Sequence, residues 1–368
     1  MKTIVIYGLS EQLGGVETIV LSLVNKLADS INFIIVLSDK DNCSYNSRVP
    51  SSVKLTNVTS WGSNPNKFKN EFLNILNDSH CDAVWLNACV TSNKEIINAI
   101  KSAKHTVKFI PHAHGTNYEN DGMIKTFLIK TLHHLNRKIY NETASYRWAC
   151  SQKAAEWFYG KNNIKDVTII KNGIDVENFC YNDNLRTELR KQFSCEDSFV
   201  CLHIGRLTPV KNQKYLLKVF SELSRLNPSA LLFIAGTGEL DSELKADAKN
   251  LHISEKVRFL GQYNNVSELY SMSDAFLLPS IHEGMPLTLV EAQCAGLQCF
   301  VSSNISKEVK LTSFLSFLSI NEAPEKWAKY IASYQYNAER GLGRTEIVDA
   351  GFDITSISKN VADMIELL

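Results

Sequence analysis

The chain has 368 residues, 44% hydrophobic and 21% charged, with 39 basic residues against 39 acidic ones. This length exceeds one ordinary core and predicts two domains, and the composition excludes a disordered chain. Zero net charge leaves no chain-wide footprint for nucleic acid, although residues 1–175 hold 20 Lys and Arg against 15 acids and residues 176–368 hold 19 against 24. The first half is therefore the one suited to an anionic partner.

The start, MKTIVIYGLS (1–10), turns polar too soon for a signal peptide, and no apolar run reaches the roughly 18 residues of a membrane span. Nine scattered cysteines show neither a C-x-x-C pair nor a Cys/His zinc spacing, which predicts reduced thiols in a cytoplasmic protein. Short apolar runs then recur at 2–8, 32–38, 82–88, 106–112, 146–151 and 167–173, separated by helical patterns such as 16–29 and 68–78. The pattern restarts at 199–205, 230–236, 256–261, 274–280 and 298–303, with helices at 213–227 and 266–272. Strands that read as continuous apolar runs between helices are buried on both faces of a parallel sheet. The fold class is thus α/β: two Rossmann-like units in tandem, joined near 173–195, with ligands expected at the strand-end loops.

Five such loops carry unusual residues. YGLSEQLGGVET (7–18) places Gly14 and Gly15 before a helix, where bare amides can approach a phosphate. IPHAHGTN (110–117) ends a strand with His112 and His114; no local third ligand supports a metal, and a histidine there can hydrogen-bond a polar substrate. HIGRLTPVKNQ (203–213) sets Arg206 and Lys211 five residues apart, a spacing that can clamp a diphosphate. IAGTGEL (234–240) lacks the third glycine of a dinucleotide fingerprint, since position 241 is Asp, and reads as a plain glycine-rich turn.

The fifth loop, EGMPLTLVE (283–291), puts Glu283 in a loop and Glu291 inside a helix that starts near Pro286. The amides of Leu287, Thr288 and Leu289 are expected to lack intrahelical acceptors and to suit a diphosphate. A carboxylate would repel that anion, so the two glutamates suit sugar hydroxyls on either side of it.

Taken together, GGVE (14–17), ACSQKAAEWFYG (149–160), IIKNGID (169–175), GRLTPVKNQ (205–213), AGTGEL (235–240) and the E-x7-E run of 283–291 resemble the family 4 retaining glycosyltransferases. The resemblance spans about residues 4–303, and its later part is similar to the bacterial exopolysaccharide and capsule branch. The loop after the first strand lacks that family's usual small residues, and the region beyond about 310 diverges. The resemblance implies a GT-B fold whose two Rossmann-like domains face across a cleft. Expected are an acceptor domain at 1–175, a nucleotide-sugar donor domain at 176–350, and a C-terminal helix at 351–368 crossing back to the first domain.

It also implies roles. Arg206 and Lys211 contact the donor diphosphate and stabilise the leaving nucleotide, with Gly205 beside them. Glu291 binds the ribose. Glu283 meets the donor sugar, next to the backbone of Gly284, Met285, Pro286 and Leu287. Gly15 approaches the phosphate, and His114, with His112 as the other candidate, stands by the anomeric carbon. No metal and no cofactor is implied; the co-substrate is a nucleotide-sugar, with uridine the family's commonest nucleotide, and the acceptor is a glycan, expected to be lipid-linked.

Two rivals remain open at this point. A non-catalytic GT-B subunit binding a partner transferase need not keep Arg206, Lys211, Glu283 and Glu291, and a Rossmann oxidoreductase would need the missing glycine. One further helix, 123–140, carries Ile124, Leu128, Leu132, Leu135 and Ile139 on a stripe expected to cover the sheet. Lys125, Lys130, His133, His134, Arg137 and Lys138 are expected opposite, on a solvated basic face that could meet the anionic inner face of a membrane.

Overall fold

A computed structural model describes residues 1–10, 14–38, 43–116, 122–334 and 339–368. Residues 11–13 of the first glycine loop and residue 117 of the histidine loop lie outside that description. The chain divides into two units, Met1–Asn172 with Ile354–Leu368, and Gly173–Asp353.

The first unit is built on seven strands: β1 (Lys2–Tyr7), β2 (Ile31–Leu37), β3 (Lys54–Asn57), β4 (Ala83–Ala88), β5 (Lys108–Ala113), β6 (Arg147–Ala149) and β7 (Val167–Ile169). They lie in the order β3-β2-β1-β4-β5-β6-β7, with every pairing parallel. Alternate residues of β1 serve two cores, one on each face. Ile4 and Ile6 join Val20, Leu23 and Val24 of helix Gly15–Leu27, whereas Val5 and Tyr7 join Phe68, Phe72 and Leu76 of helix Pro65–Ser79. The first core is completed by helix Ile354–Glu366, whose Ile354, Ile357, Val361 and Ile365 are buried in it. The expected C-terminal crossing is thus present.

The second unit has six strands: β8 (Phe199–Ile204), β9 (Ala230–Ala235), β10 (Val257–Gly261), β11 (Ala275–Leu278), β12 (Gln298–Ser302) and β13 (Leu315–Leu318). Their order is β10-β9-β8-β11-β12-β13, again all parallel. Helix Asp183–Gln192 is clasped to this sheet by Asp274, which pairs with Arg186 at 2.5 Å and Arg190 at 3.2 Å and accepts the Val200 amide at 2.7 Å. In both sheets the chain turns back beside its first strand, between β1 and β4 and between β8 and β11. That switch point is where open α/β sheets hold ligands.

Three sequence expectations need correction. Strands β3 and β13 were not anticipated. Both are four-residue edge strands, and KLTN in particular is too polar to read as an apolar run. The glycine-rich turn after β9 is also more than a turn. A Cβ on Gly236 would stand 2.1 Å from the Gly205 carbonyl, and one on Gly238 would stand 2.3 Å from the Leu207 carbonyl. With the bonds Gly205 N–H to Ala235 O (3.0 Å) and Leu207 N–H to Thr237 O (2.9 Å), it clamps the loop that carries Arg206.

The third correction concerns helix Met123–Thr143. Apart from Ile139, which packs partly buried against the core, its apolar stripe does not cover the sheet. Ile124, Leu128, Leu132 and Leu135 are exposed, and the buried residues are His133, Asn136 and Tyr140. The polar side chains have specific partners inside: Thr91 N–H donates to His133 Nδ1 at 3.1 Å, Asn136 Nδ2 donates to Ser92 O at 3.1 Å, and Tyr140 Oη donates to Asn93 O at 2.6 Å. His133 therefore does not belong to a basic surface. Burial, aided by Arg137, pushes its pKa down to about 4, so the ring is neutral.

Candidate nucleotide-sugar site

The loops after β8 and β11 meet at the switch point of the second sheet. After β8 the chain forms a single 3-10 turn, Pro209–Lys211, and Asn212 takes a left-handed φ of 57° before helix Gln213–Leu226. Asn212 Nδ2 donates to Pro279 O at 3.1 Å and Ile281 N–H donates to Val210 O at 2.8 Å, which join the two loops. This join carries Lys211 Nζ to 2.6 Å from Glu283 Oε1, and Ser280 Oγ donates to the same oxygen at 3.1 Å. Gly205 gives the lysine stem its path, since a Cβ there would lie 3.2 Å from Lys211 Cε.

Arg206 is exposed, and among the described residues no ion pair involves it. Its backbone is positioned by a buried relay that the sequence reading missed. His203 Nδ1 donates to Leu277 O at 2.8 Å, and Gln213 Nε2 donates to His203 Nε2 at 3.2 Å and to Arg206 O at 2.8 Å. Burial pushes the His203 pKa down to about 4, which keeps Nε2 available as an acceptor. A polar pair ten residues apart, at the end of one apolar strand and the start of the next helix, was the legible signal.

Past Glu283 and Gly284, where a Cβ would meet open space, Met285 and Pro286 lead into helix Leu287–Cys294. Pro286 is the N-cap residue, one position earlier than a first helical residue. Leu289 N–H already reaches Pro286 O at 3.0 Å, so the expectation of three bare amides is corrected to two, those of Leu287 and Thr288. Glu291, one turn further on, is buried, and its Oε2 accepts a 2.6 Å bond from Tyr270 Oη. Burial raises the Glu291 pKa to about 7 despite that bond. Tyr270 is another partner that the sequence reading did not name.

The remaining candidates belong to the first unit. Gly15 opens helix Gly15–Leu27, and a Cβ there would meet nothing within 4 Å. The Glu17 carboxylate accepts Ser10 N–H and Gly14 N–H, each at 2.9 Å. His112 is buried and accepts the Trp85 indole N–H at 3.3 Å, while burial and the adjacent His114 push its pKa well down. His114 is less enclosed, and its Nε2 lies 2.8 Å from Asn87 Oδ1, the natural acceptor of its proton. Burial takes the His114 pKa down to about 3, and its Nδ1 has no partner. At the switch point of this sheet lies a cavity of about 230 Å³ lined by Gly8, Ser10, Ser38, Asn87, Asn93 and Tyr140 among others.

Residues 186–339 match the family described as "Glycosyl transferases group 1". The chain is 29% identical over 326 residues to "Putative glycosyltransferase EpsF" of Bacillus subtilis (strain 168), covering 87% of this chain and 84% of that protein. It is 35% identical over 141 residues to the "UDP-Gal:alpha-D-GlcNAc-diphosphoundecaprenol alpha-1,3-galactosyltransferase" of Escherichia coli, 37% and 36% of the two chains. Among solved structures, Anabaena Alr3699/HepE in complex with UDP shares the fold over 100% of both chains, with a TM-score of 0.79 and 19% identity. The chain accordingly has the GT-B fold, and its residues 186–339 are similar to the group 1 glycosyltransferases.

Proposed function

We propose that the chain is a family 4, retaining, metal-independent hexosyltransferase that moves a sugar from a uridine diphosphate donor to a lipid-linked glycan in exopolysaccharide or capsule synthesis. The observation that carries this reading is the grouping of Lys211, Glu283 and the amides of Leu287 and Thr288 at one switch point, with buried Glu291 one turn beyond. Its chemistry suits a molecule that is anionic in the middle and hydroxylated at both ends. The Anabaena neighbour has been solved with UDP and with UDP-glucose, and the Escherichia coli relative is named for a diphosphoundecaprenol acceptor; both support the choice of donor and acceptor class.

In the proposed reaction the bond from the anomeric carbon to the β-phosphate oxygen breaks, with its electron pair on that oxygen. The acceptor oxygen bonds to the anomeric carbon on the same face, and its proton passes to the departing diphosphate. Arg206, Lys211 and the two helix amides stabilise the charge that grows on the leaving group. Glu291 accepts the ribose hydroxyls and Glu283 those of the sugar. His114, neutral, offers Nδ1 to a hydroxyl, and Gly15 leaves room for the phosphate.

The experiment is donor hydrolysis and calorimetric binding across a panel of nucleotide sugars, with and without chelator. One donor is expected to bind and to release its nucleoside diphosphate, chelator is expected to leave the rate unchanged, and Arg206→Ala or Lys211→Ala is expected to lower kcat more than affinity. Absence of both binding and hydrolysis for every donor would favour a non-catalytic accessory subunit instead.

A further inference from the structure

Helix Met123–Thr143 shows its apolar side to solvent. Met123, Ile124, Phe127, Leu128, Leu132 and Leu135 follow one another at spacings of one, three and four residues along one side, and their exposure runs from 36% at Leu132 to 92% at Met123. The residues that hold the helix to its unit, His133, Asn136 and Tyr140, lie on the opposite side; each makes a polar contact there, and Tyr140 also packs in the core against Phe109 and Phe158. His133 also stacks on Trp157 with ring centroids 4.6 Å apart. Over Met123–Leu135 the usual arrangement of a helix on a globular core, apolar inward and polar outward, is reversed.

Single exposed apolar residues are ordinary, but six on one helix side form a surface that water does not favour. What surrounds them identifies the occupant. Lys125 and Lys130 flank the stripe on its two sides, Lys138 extends it beyond Leu135, and no acidic residue occurs between Gly122 and Asn141. Lys138 is within 3.8 Å of Glu142 at the helix end, and Arg137 is turned back to Trp157 O, so Lys125 and Lys130 are the outward cations nearest the apolar side chains. A helix with an outward apolar face bordered by lysines lies in the plane of an anionic bilayer, its apolar side chains among the acyl chains and its ammonium groups at the phosphates.

We propose that helix Met123–Thr143 is a monotopic membrane anchor that inserts its Met123–Leu135 apolar stripe into an anionic leaflet. Insertion supplies the main attraction, and charge selects the lipid. No helix among the described residues is long and apolar enough to cross a membrane, so this contact is a lateral one. The proposal stands without the glycosyl-transfer reading, because it concerns only the surface of the first unit.

The test is co-sedimentation of the full chain, without substrate, with phosphatidylcholine vesicles that contain or lack phosphatidylglycerol, at low and high salt. The wild type is expected to partition onto the anionic vesicles, and high salt is expected to weaken this without abolishing it, because insertion is not screened. The triple variant Phe127→Ser, Leu128→Ser, Leu135→Ser should lose roughly a hundredfold or more in partitioning. Lys125→Gln with Lys130→Gln should lose about tenfold or more, and only on anionic vesicles. Four of the five positions are exposed and Lys130 is partly so, and unchanged thermal unfolding verifies that the variants remain folded. A wild type that ignores both vesicles, or a triple variant that binds as well as the wild type, overturns the proposal. So does a wild-type dimer, by sedimentation velocity, that the triple variant converts to monomer while vesicles stay unbound, since the face would then belong to a second copy. Donor hydrolysis by the triple variant in vesicle-free solution keeps the two readings separate: its survival beside lost partitioning locates the effect in membrane contact.

Discussion

Lys211 Nζ stands 2.6 Å from Glu283 Oε1, although the two residues come from loops after different strands, β8 and β11. Each holds the other half-buried at the switch point, and each is partly neutralised there. A diphosphate that draws on Lys211 must therefore compete with Glu283, and a sugar that draws on Glu283 relieves that competition. Glu283→Gln should consequently act in two directions. Free nucleoside diphosphate should bind several-fold more tightly, since Lys211 loses its internal partner, while turnover of the nucleotide sugar should fall by about 10²-fold or more. Calorimetry with the diphosphate alone beside steady-state kinetics reads both; equal weakening of the two would show that the ion pair is only structural.

Glu291 provides a prediction in pH. Its pKa is raised by burial from 4.5 to about 7, so the folded protein without ligand holds this proton across a range in which the unfolded chain has lost it. The stabilising contribution is complete below about pH 4.5 and is lost as pH rises through about 7. Relative to Glu291→Gln, the wild type should lose on the order of 3 kcal/mol between pH 4.5 and 8, measured by denaturant unfolding. Nucleotide affinity should show the opposite trend, because the ionised carboxylate is the better acceptor for a diol: it should rise with pH up to about 7 and be flat in Glu291→Gln. A wild-type stability profile parallel to that of the variant would remove the buried proton from the account.

Two glycines separate space for a side chain from space for backbone. The added methyl of Gly205→Ala would press on Lys211 Cε at 3.2 Å and Cδ at 3.4 Å, and a flexible stem can yield. Gly238→Ala would meet the Leu207 carbonyl oxygen at 2.3 Å, and backbone cannot yield without moving the clamp on Arg206. Gly205→Ala should thus keep near-normal stability and lose about tenfold or more in turnover, through a displaced Lys211. Gly238→Ala should lose about 1–3 kcal/mol or more in stability. Thermal unfolding and kcat on both variants decide; the reverse ranking would contradict the two contacts.

Helix Ile354–Glu366 contributes four buried aliphatic side chains to the first core. Val361→Asp should place an unpaired carboxylate against that core and lower stability by about 3 kcal/mol or more. Removal of residues 354–368 should leave the apolar face of helix Gly15–Leu27 open and yield aggregating protein. A monomeric truncated chain with wild-type Tm would show that the helix is not needed.

The central strands were legible because their burial on both faces writes itself as an apolar run, as in FVCLHIG and DAFLLPS. Edge strands β3 and β13 lack that double burial and left no comparable mark. Helical periodicity correctly grouped Ile124, Leu128, Leu132 and Leu135, yet it specifies a face and not the direction in which that face points. The direction is set by Thr91, Ser92, Asn93 and Trp157, each far away in the chain, which bind the other side of the helix. At the candidate site each loop was readable by itself, since cations, glycines and glutamates at strand ends are locally unusual. The pairing of Lys211 with Glu283, the support of Glu291 by Tyr270 and the His203–Gln213 relay are products of sheet order, which no local pattern contains.

The return of residues 354–368 to the first core has a consequence in time. A ribosome delivers the first 172 residues with one of their two cores still wanting its last helix, then makes the whole of 173–353, and only afterwards supplies the missing piece. Until that helix arrives, the part of the first core that it covers stays open, although the second unit's own sheet is complete in sequence from residue 318 onward. The half that is born first is the half that matures last, and a chain released without residues 354–368 would present one finished unit and one exposed core to the cell's chaperones.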